Sequence, residues 1–280
     1  MLSLKKRLSL SELNFRLHKR GFGMYEGLSL FYNTLTYDIN YGALARFVDR
    51  TVKKSAAWKD YARRGEKPIL LDAGAGTGNF VDIMAGSYDC IGLDVSEEML
   101  DIARSNVSNG NILWICQDMC RMDLFGSVTA ITSLTDSVNH LLTVKRLSEF
   151  FAKAHNFLDP GGLLIFDVLT DSHFDPAGRE AQFFADFDNE SCFWNCAYDP
   201  KKRICTYNIS CFRLIDPERS LYERSDDVVR EKIWEENVLR ELLLTAGFVK
   251  IDVLKGGNKG APGGRTGRNR LYFICAKGKI

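Results

Sequence analysis

The sequence lacks any long uninterrupted hydrophobic stretch. No segment approaches the roughly 18 to 20 consecutive apolar residues that a membrane-spanning helix needs. The first 20 residues scatter charges among their leucines, whereas a signal peptide has a continuous apolar run. We therefore predict a cytoplasmic protein that does not cross a membrane.

The eight cysteines include no C-x-x-C pair. Cys116 and Cys120 lie four positions apart, as do Cys192 and Cys196, and this spacing alone is a weak metal signal. Others, such as Cys90, lie in apolar runs. We therefore predict reduced thiols that pack as small hydrophobic residues, and no metal site.

Acidic residues are scarce at the two ends of the chain. Residues 1–23 have a charge balance of +5 and residues 255–280 one of +7, so a net charge of +1 leaves −11 for the remainder. Basic ends could mark contacts with a nucleic acid or an anionic surface. We favour the alternative of solvated ends.

From residue 66 onward, apolar segments of strand length alternate with segments of helical spacing. The run 68–74 is apolar throughout and ends in glycine, as strands buried on both faces do. Ser96 precedes a helical segment at 97–106 in the position of an N-cap, and turn residues 159–162 end a second one at 145–158. Further strand-like runs cover 90–95, 112–118, 129–134 and 163–169. Such alternation indicates βαβ units and hence a parallel sheet with helices on both faces.

The pattern changes after Leu169. Two aromatic strand-like runs, 192–199 and 203–215, flank a turn and predict an antiparallel hairpin. Helical spacing resumes at 235–248, and two last strands follow. We predict an α/β fold: a Rossmann-like, seven-stranded, mostly parallel sheet with helices on both faces and an antiparallel insertion after strand 5.

The strongest functional signal is LDAGAGTGNF, residues 71–80, at a strand-to-helix turn. Glycines there let the backbone turn sharply and approach a ligand, while N–H groups of the helix start face it. Asn79 stands where the dinucleotide fingerprint G-x-G-x-x-G has its third glycine. This departure argues against the alternative of a nicotinamide-dependent oxidoreductase.

Acids lie at or near the carboxyl ends of three successive strands. Asp72 precedes Gly74 by two positions, and Asp94 ends the second strand, where it can accept hydrogen bonds from ribose hydroxyls. Asp118 follows the third strand, where a carboxylate can accept from an adenine amino group. Each acid alone is typical of a helix cap or a turn, but their coincidence favours a nucleoside site.

With these motifs, the sequence resembles the class I S-adenosylmethionine-dependent methyltransferases from about residue 30 onward, and a bacterial small-molecule-type branch in particular. Members of that branch begin with a Tyr-rich helix, here 31–41, and have a fourth-strand ending similar to DSVNHL at 136–141. The segments 222–229 and 246–248 also match. Two departures are His140, where the branch usually has Tyr, and two valines at 228–229, where it usually has a His.

The resemblance implies S-adenosylmethionine as the cofactor and S-adenosylhomocysteine as the product. Asp94 would hold the ribose, and Asp72, Gly74 and Gly76 would line the methionine part. Other residues expected at the cofactor are Tyr32, Tyr41, Ala73, Asn79, Val95, Met99, Gln117, Asp118, Met119 and Leu134. We predict one domain with four segments: an N-terminal helical cap (1–65), a cofactor-binding core (66–170), an antiparallel insertion forming an acceptor lid (171–230), and a C-terminal helix with the last strand pair (231–280).

The acceptor side is less defined. We predict that His140 acts as the catalytic base after the fourth strand, although a histidine that caps a helix or pairs with a carbonyl is the common alternative. Asn139, His173, Tyr207 and Arg224 are expected to face a small-molecule acceptor, and the aromatic insertion suits a ring-bearing one. The sequence predicts neither the acceptor, nor the methylated atom, nor an oligomeric state.

Two further functions are also consistent with the sequence. A protein that binds the cofactor without turnover, as a regulatory or scaffolding subunit, would retain the same cofactor motifs. A nucleic-acid or protein methyltransferase is less favoured, because SLTDSVN (133–139) at the fourth strand lacks the N-P-P-Y or D-P-P-Y motif of many amino-methylating DNA enzymes. We favour a methyltransferase that acts on a small molecule.

Overall fold

The structure, a computed structural model, describes residues 28–107, 111–173, 181–263, 267 and 269–279. The basic segment 1–23 therefore lies outside the described residues, as do two of the arginines in the basic C-terminal region. No helix in the described ranges is long and apolar enough to cross a membrane.

The described residues form two β-sheets. The strands are β1 (Ile69–Ala73), β2 (Asp89–Asp94), β3 (Leu113–Cys116), β4 (Val128–Ser133), β5 (Leu158–Leu169), β6 (Ala181–Asp186), β7 (Glu190–Asp199), β8 (Ile204–Asp216), β9 (Leu221–Lys232), β10 (Phe248–Lys255) and β11 (Arg270–Lys277). The larger sheet has seven strands in the order β10-β11-β5-β4-β1-β2-β3. Strands β1 to β5 pair in parallel, and β11 pairs antiparallel with both β5 and β10. The predicted mostly parallel sheet and its antiparallel insertion are confirmed.

The helices cover both faces of this sheet. They are α1 (Tyr32–Leu35), α2 (Tyr41–Val52), α3 (Ala56–Arg64), α4 (Asn79–Met84), α5 (Glu97–Asn106), α6 (Val144–Phe157) and α7 (Glu236–Thr245), with 3₁₀ turns at Leu28–Phe31, Met119–Arg121, Ser137–His140 and Asp171–His173. Along β1, Leu70 packs with residues of α2 and α4, whereas its neighbour Leu71 packs with residues of α6 and α7. Since successive side chains of a strand point to opposite faces, the sheet separates two apolar cores.

The insertion is a four-stranded antiparallel sheet in the order β6-β7-β8-β9. In its register Tyr207 lies opposite Val229, and Phe212 lies opposite Arg224. Positions five apart on a strand face opposite sides, so Arg224 points away from the face that carries Tyr207 and Val229. This face turns toward the carboxyl ends of the larger sheet, and Trp194 lies on it too.

The expectation that all cysteines are reduced is wrong for one pair. Cys192 of β7 lies directly opposite Cys211 of β8, and the two form a disulfide across the hairpin. Cys192 therefore pairs across strands and not with Cys196, which is a buried free thiol.

The predicted Tyr-rich helix is not continuous. A 3₁₀ turn leads into α1, which ends at Leu35. A new helix, α2, begins at Tyr41 after Asn40, whose side chain accepts a hydrogen bond from the N–H of Ala43. Asn40 stabilises the start of this helix, because Asn at an N-cap satisfies an N–H that has no partner within the helix. Tyr32 and Tyr41 consequently reach the site from different helices, α1 and α2.

The strand after α6 begins earlier than predicted. The residues 159–162 belong to β5, whose register with β4 shifts between Val128 and Ala130. Gly161 adopts a φ of +75° there and its N–H donates to the carbonyl of Gly278. The predicted turn is therefore an irregularity at the start of the strand.

Candidate active site

A glycine loop follows β1 at the carboxyl edge of the sheet. Gly74, Gly76 and Gly78 have φ values of +88°, +53° and +81°, which side chains rarely allow. A Cβ at Gly74 would lie 2.5 Å from the Oγ of Ser137. The N–H groups of Gly74 and of the next residue both donate to the carbonyl of Leu93, which holds the loop against the end of β2.

Asp94 connects this loop to the start of α5. Its Oδ2 accepts from the N–H of Gly76 at 2.8 Å, and its Oδ1 accepts from the N–H of Ser96 at 3.0 Å. Ser96 in turn caps α5, as predicted, by accepting from the N–H of Met99. Burial raises the pKa of Asp94 although these N–H groups oppose the shift. The carboxylate is thus fixed in position, and each of its oxygens retains capacity to accept another hydrogen bond.

Asp72 lies deeper, at a cavity of about 330 Å³. Thr132 of β4 donates its Oγ1–H to the Asp72 carboxylate at 2.6 Å. Burial raises the pKa of Asp72 to about 7, and the Thr132 hydrogen bond only partly offsets this. Other residues of this cavity include Tyr32, Tyr41, Gly74, Asn79 and Leu134.

A larger cavity of about 820 Å³ adjoins it and shares Tyr32, Gly74 and Thr135. Predicted residues that line it include Gly76, Asp94, Val95, Met99, Gln117, Asp118 and Met119. Every residue predicted to bind the cofactor lines one of the two cavities, except Ala73, which is buried in β1 and lines neither.

At the far end of the larger cavity, Asp118 forms a two-fold pair with Arg146 of α6. Nη1 and Nη2 of the guanidinium each donate to one carboxylate oxygen at 2.8 Å. Partial burial opposes ionisation of Asp118, but Arg146 and the N–H of Cys120 outweigh it and lower the Asp118 pKa. Arg146 itself lines the cavity.

A third cavity, of about 960 Å³, lies between the larger sheet and the insertion. It shares Tyr32, Thr135 and His140 with the 820 Å³ cavity, so these three residues stand where the two cavities meet. The insertion contributes Trp194, Tyr207, Ile209, Val229 and Glu231, and the main fold contributes Leu35, Thr36, Ile39, Asp136, Leu169 and His173.

Two of the expected acceptor residues lie elsewhere. Asn139 is fully buried, donates to the carbonyl of Lys232 and accepts from the N–H of Leu169, so its amide ties the fourth-strand end to its neighbours. Arg224 lies on the opposite face of the insertion, next to Asp226. The expectation that they face the acceptor is corrected, whereas Tyr207 and His173 do line the cavity.

His140 has a defined orientation at the junction. Its Nδ1 lies 3.3 Å from the carbonyl oxygen of Arg230, and because a carbonyl only accepts, this contact places the ring proton on Nδ1. Nε2 then carries the lone pair, 3.9 Å from Oε1 of Glu231. Burial lowers the pKa of His140, although nearby Asp136 opposes the shift.

Comparison with known proteins agrees with this arrangement. Residues 70–162 match a family described as a methyltransferase domain. A protein of Geobacillus sp. (strain WCH70), provisionally named a methyltransferase, is 27% identical over 256 residues, which cover 90% of this chain and 99% of the relative. Residues 70–162, the segment that contains the glycine loop, Asp94 and Asp118, are thus similar to a methyltransferase domain.

Solved structures of methyltransferases share the fold of this chain. An S-adenosylmethionine-dependent methyltransferase from Clostridium acetobutylicum ATCC 824 is 18% identical, with a TM-score of 0.70 over 95% of this chain and 99% of that one. The sugar N-methyltransferase KedS8 from Streptoalloteichus sp ATCC 53650 is also 18% identical, with a TM-score of 0.71 over 100% of this chain and 99% of that one.

Several residues at this candidate site were not identified as site residues from the sequence. Thr135 and Asp136, with φ values of +54° and +72°, hold a left-handed backbone that favours glycine, and both line the third cavity. Arg146 and Glu231 come from a helix and a strand whose local patterns look like ordinary surface segments. Only spatial neighbours reveal their position.

Proposed function

We propose that the methyltransferase transfers the methyl group of S-adenosylmethionine directly to a small-molecule acceptor, in line with the departing sulfur. The observation that carries this proposal is the meeting of two cavities at Tyr32, Thr135 and His140. A cofactor in one cavity and an acceptor in the other would face each other across this junction. Positioning of this kind, with reacting atoms about 3 to 3.5 Å apart, accounts for much of the rate enhancement in bimolecular transfers.

The residues present fit the cofactor. We propose that Asp72 binds the ammonium of its methionine part, since a buried carboxylate whose pKa is about 7 gains most from a cationic partner. Gly74 and Gly76 leave space where a side chain would intrude, and Asp94 would accept from the ribose hydroxyls. Tyr41, Asn79 and Leu134 would close the methionine end.

At the other end of the cavity, Asp118 and Met119 would hold the edge and face of the adenine. The Arg146 pair restrains the Asp118 carboxylate while each of its oxygens can still accept another hydrogen bond. Val95, Met99 and Gln117 would line the remaining walls of this cavity.

When bound, S-adenosylmethionine supplies a methyl carbon attached to a positively charged sulfur. The chain's own residues would orient the acceptor, exclude water and remove a proton where the acceptor carries one. Tyr32, between the cavities, would cover the transfer site from the N-terminal cap.

A small acceptor suits the third cavity. We propose that the antiparallel insertion acts as its lid, since Trp194, Tyr207 and Ile209 line the cavity from that side. Aromatic and aliphatic side chains with a few polar groups line the cavity, as they do in small-molecule sites. The similarity in fold to a protein named a sugar N-methyltransferase supports the same size class.

Isothermal titration of the purified protein with S-adenosylmethionine, S-adenosylhomocysteine and NADH tests the cofactor assignment. Both adenosyl ligands should bind, and Asp94→Ala should abolish binding. Asp101→Ala, which removes an exposed carboxylate from the same region, is the matched control and should bind like the wild type. Binding of NADH alone would contradict the proposal. A screen of small acceptors with methyl-labelled cofactor then tests transfer.

A further inference from the structure

We propose that Glu231 and His140 form the pair that binds an amine-bearing acceptor and takes the proton its nitrogen must lose. This inference rests on the proposed function and specifies the acceptor class. It is carried by the geometry of the third cavity, where the two side chains approach each other at the junction with the cofactor cavity.

The position of Glu231 is the first observation. It projects from β9 into the cavity, and only 7% of the residue is exposed. Its Oε1 lies 3.9 Å from Nε2 of His140, and a hydrogen bond from Tyr207 also reaches the carboxylate. Its Oε2 is buried and has no hydrogen-bond partner among the described residues. A buried carboxylate with unused acceptor capacity is costly unless a ligand satisfies it.

The charge of the cavity is the second observation. Among the described residues that line it, the side chains that can carry a negative charge are Asp136 and Glu231, and there is no Lys or Arg. Arg270 satisfies Asp136, with Nη2 donating at 2.9 Å, and also contacts Asp167. Asp136 and Asp167 thus offset the charge of Arg270, whereas Glu231 faces the cavity. Such a cavity favours a cation such as a protonated amine over an anion.

The orientation of His140 is the third observation. With its proton on Nδ1, held by the carbonyl of Arg230, the ring presents the lone pair of Nε2 toward Glu231. Burial raises the pKa of Glu231 and lowers that of His140, so the two groups compete for one proton. The titratable groups around the pair are Asp136, Arg270, Tyr207, Cys196 and Cys205.

The acceptor enters as an ammonium, R–NH₃⁺, held by Glu231, and gives one proton to the pair, at Nε2 of His140 or at the carboxylate. The freed nitrogen lone pair forms the bond to the methyl carbon as the carbon–sulfur bond breaks and its electron pair goes to sulfur. The product leaves as R–NH₂⁺–CH₃, and the pair returns its proton to water.

Proton sharing is tested without turnover. In protein labelled with ¹³C-histidine, the His140 signal, assigned with His140→Gln, is titrated by NMR in wild type, Glu231→Gln and Glu223→Gln. Glu223 is an exposed acid on the same strand, so its variant is a matched control. Glu231→Gln should move the His140 midpoint to lower pH by about one unit or more, and Glu223→Gln should not. Identical His140 curves in wild type and Glu231→Gln would overturn the pair.

Acceptor class is tested with two ring probes that differ in one atom, cyclohexylamine and cyclohexanol, on protein saturated with S-adenosylhomocysteine. Wild type and Glu223→Gln should bind the amine more tightly than the alcohol, and Glu231→Gln should lose about tenfold in amine affinity but none in alcohol affinity. Equal binding of both probes to wild type, or no binding of the amine, would overturn the amine assignment. Failure of the wild type to bind S-adenosylhomocysteine would instead contradict the proposed function, so the two failures are distinguishable.

Discussion

The carboxylate of Asp118 receives both Nη groups of Arg146, one on each oxygen and each at 2.8 Å. The two residues lie on different elements, a 3₁₀ turn after β3 and helix α6. Two parallel hydrogen bonds fix the plane of a carboxylate, which one bond does not. The pair therefore sets the direction in which Asp118 can accept from a ligand at the adenine end.

This geometry predicts that Arg146→Ala weakens the binding of S-adenosylhomocysteine by about tenfold, because the carboxylate loses its charge-assisted restraint. Arg146→Lys should recover only part of the loss, since a lysine cannot make the two-fold contact. Titration calorimetry measures both. Lys145→Ala, an exposed change on the same helix, serves as the control, and an equal loss there would argue against a specific role for the pair.

A second prediction concerns the cost of the buried Asp72. A folded-state pKa of about 7 against 3.8 unfolded means that the folded state keeps a proton that the unfolded state releases as the pH rises between these values. The free energy of unfolding therefore falls as the pH rises across that window, and the loss is complete above pH 7. We expect Asp72→Asn to raise the free energy of unfolding of the ligand-free protein by about 1 to 4 kcal/mol at pH 8.

The increase in the free energy of unfolding that Asp72→Asn causes should be smaller at pH 5, because burial of Asp72 destabilises the wild type less at that pH. Urea unfolding at pH 5 and at pH 8 measures the difference. Thr132 can still donate to the amide oxygen, so the fold should persist. The same variant should bind S-adenosylhomocysteine far more weakly. A variant that is less stable at pH 8, or that binds normally, would contradict the role of Asp72 as a ligand carboxylate kept at the expense of stability.

Much of this site followed from local pattern. The glycine loop and Asp94 could be predicted because both sit at strand ends, and parallel strands bring their carboxyl ends to one edge. The role of Arg146 could not be predicted, since its contact with Asp118 depends on how α6 packs against the rest of the fold. Arg224 was placed wrongly for a related reason: which residues of neighbouring strands share a face depends on their register, and the register of β8 with β9 pairs Tyr207 with Val229 and Phe212 with Arg224.

The third prediction is a pH dependence of ligand affinity. If Asp72 holds the ligand ammonium, binding requires its ionised form, so affinity for S-adenosylhomocysteine should fall as the pH drops below about 7. The limiting slope is about tenfold per pH unit. Calorimetric titrations between pH 5.5 and 8 should show this slope in wild type and its absence in Asp72→Asn. An affinity that is flat across the range in wild type would exclude Asp72 as the group that binds the ammonium.

The fourth prediction tests the glycine loop. Gly74 combines a φ of +88° with a neighbour, the Oγ of Ser137, that would lie 2.5 Å from a new Cβ. Gly74→Ala should therefore cost about 1 to 3 kcal/mol of stability and should block the two cavities that meet at this residue. Ser137→Ala added to Gly74→Ala removes the Oγ but leaves the Cβ of residue 137 at 2.8 Å and the backbone strain, so it should restore only a small part of both losses. Gly126→Ala is the matched control, since a Cβ there would meet nothing within 4 Å and no positive φ opposes it. Thermal unfolding and calorimetry distinguish the outcomes, and a Gly74→Ala protein that behaves like Gly126→Ala would mean that the loop tolerates a side chain where we place the cofactor.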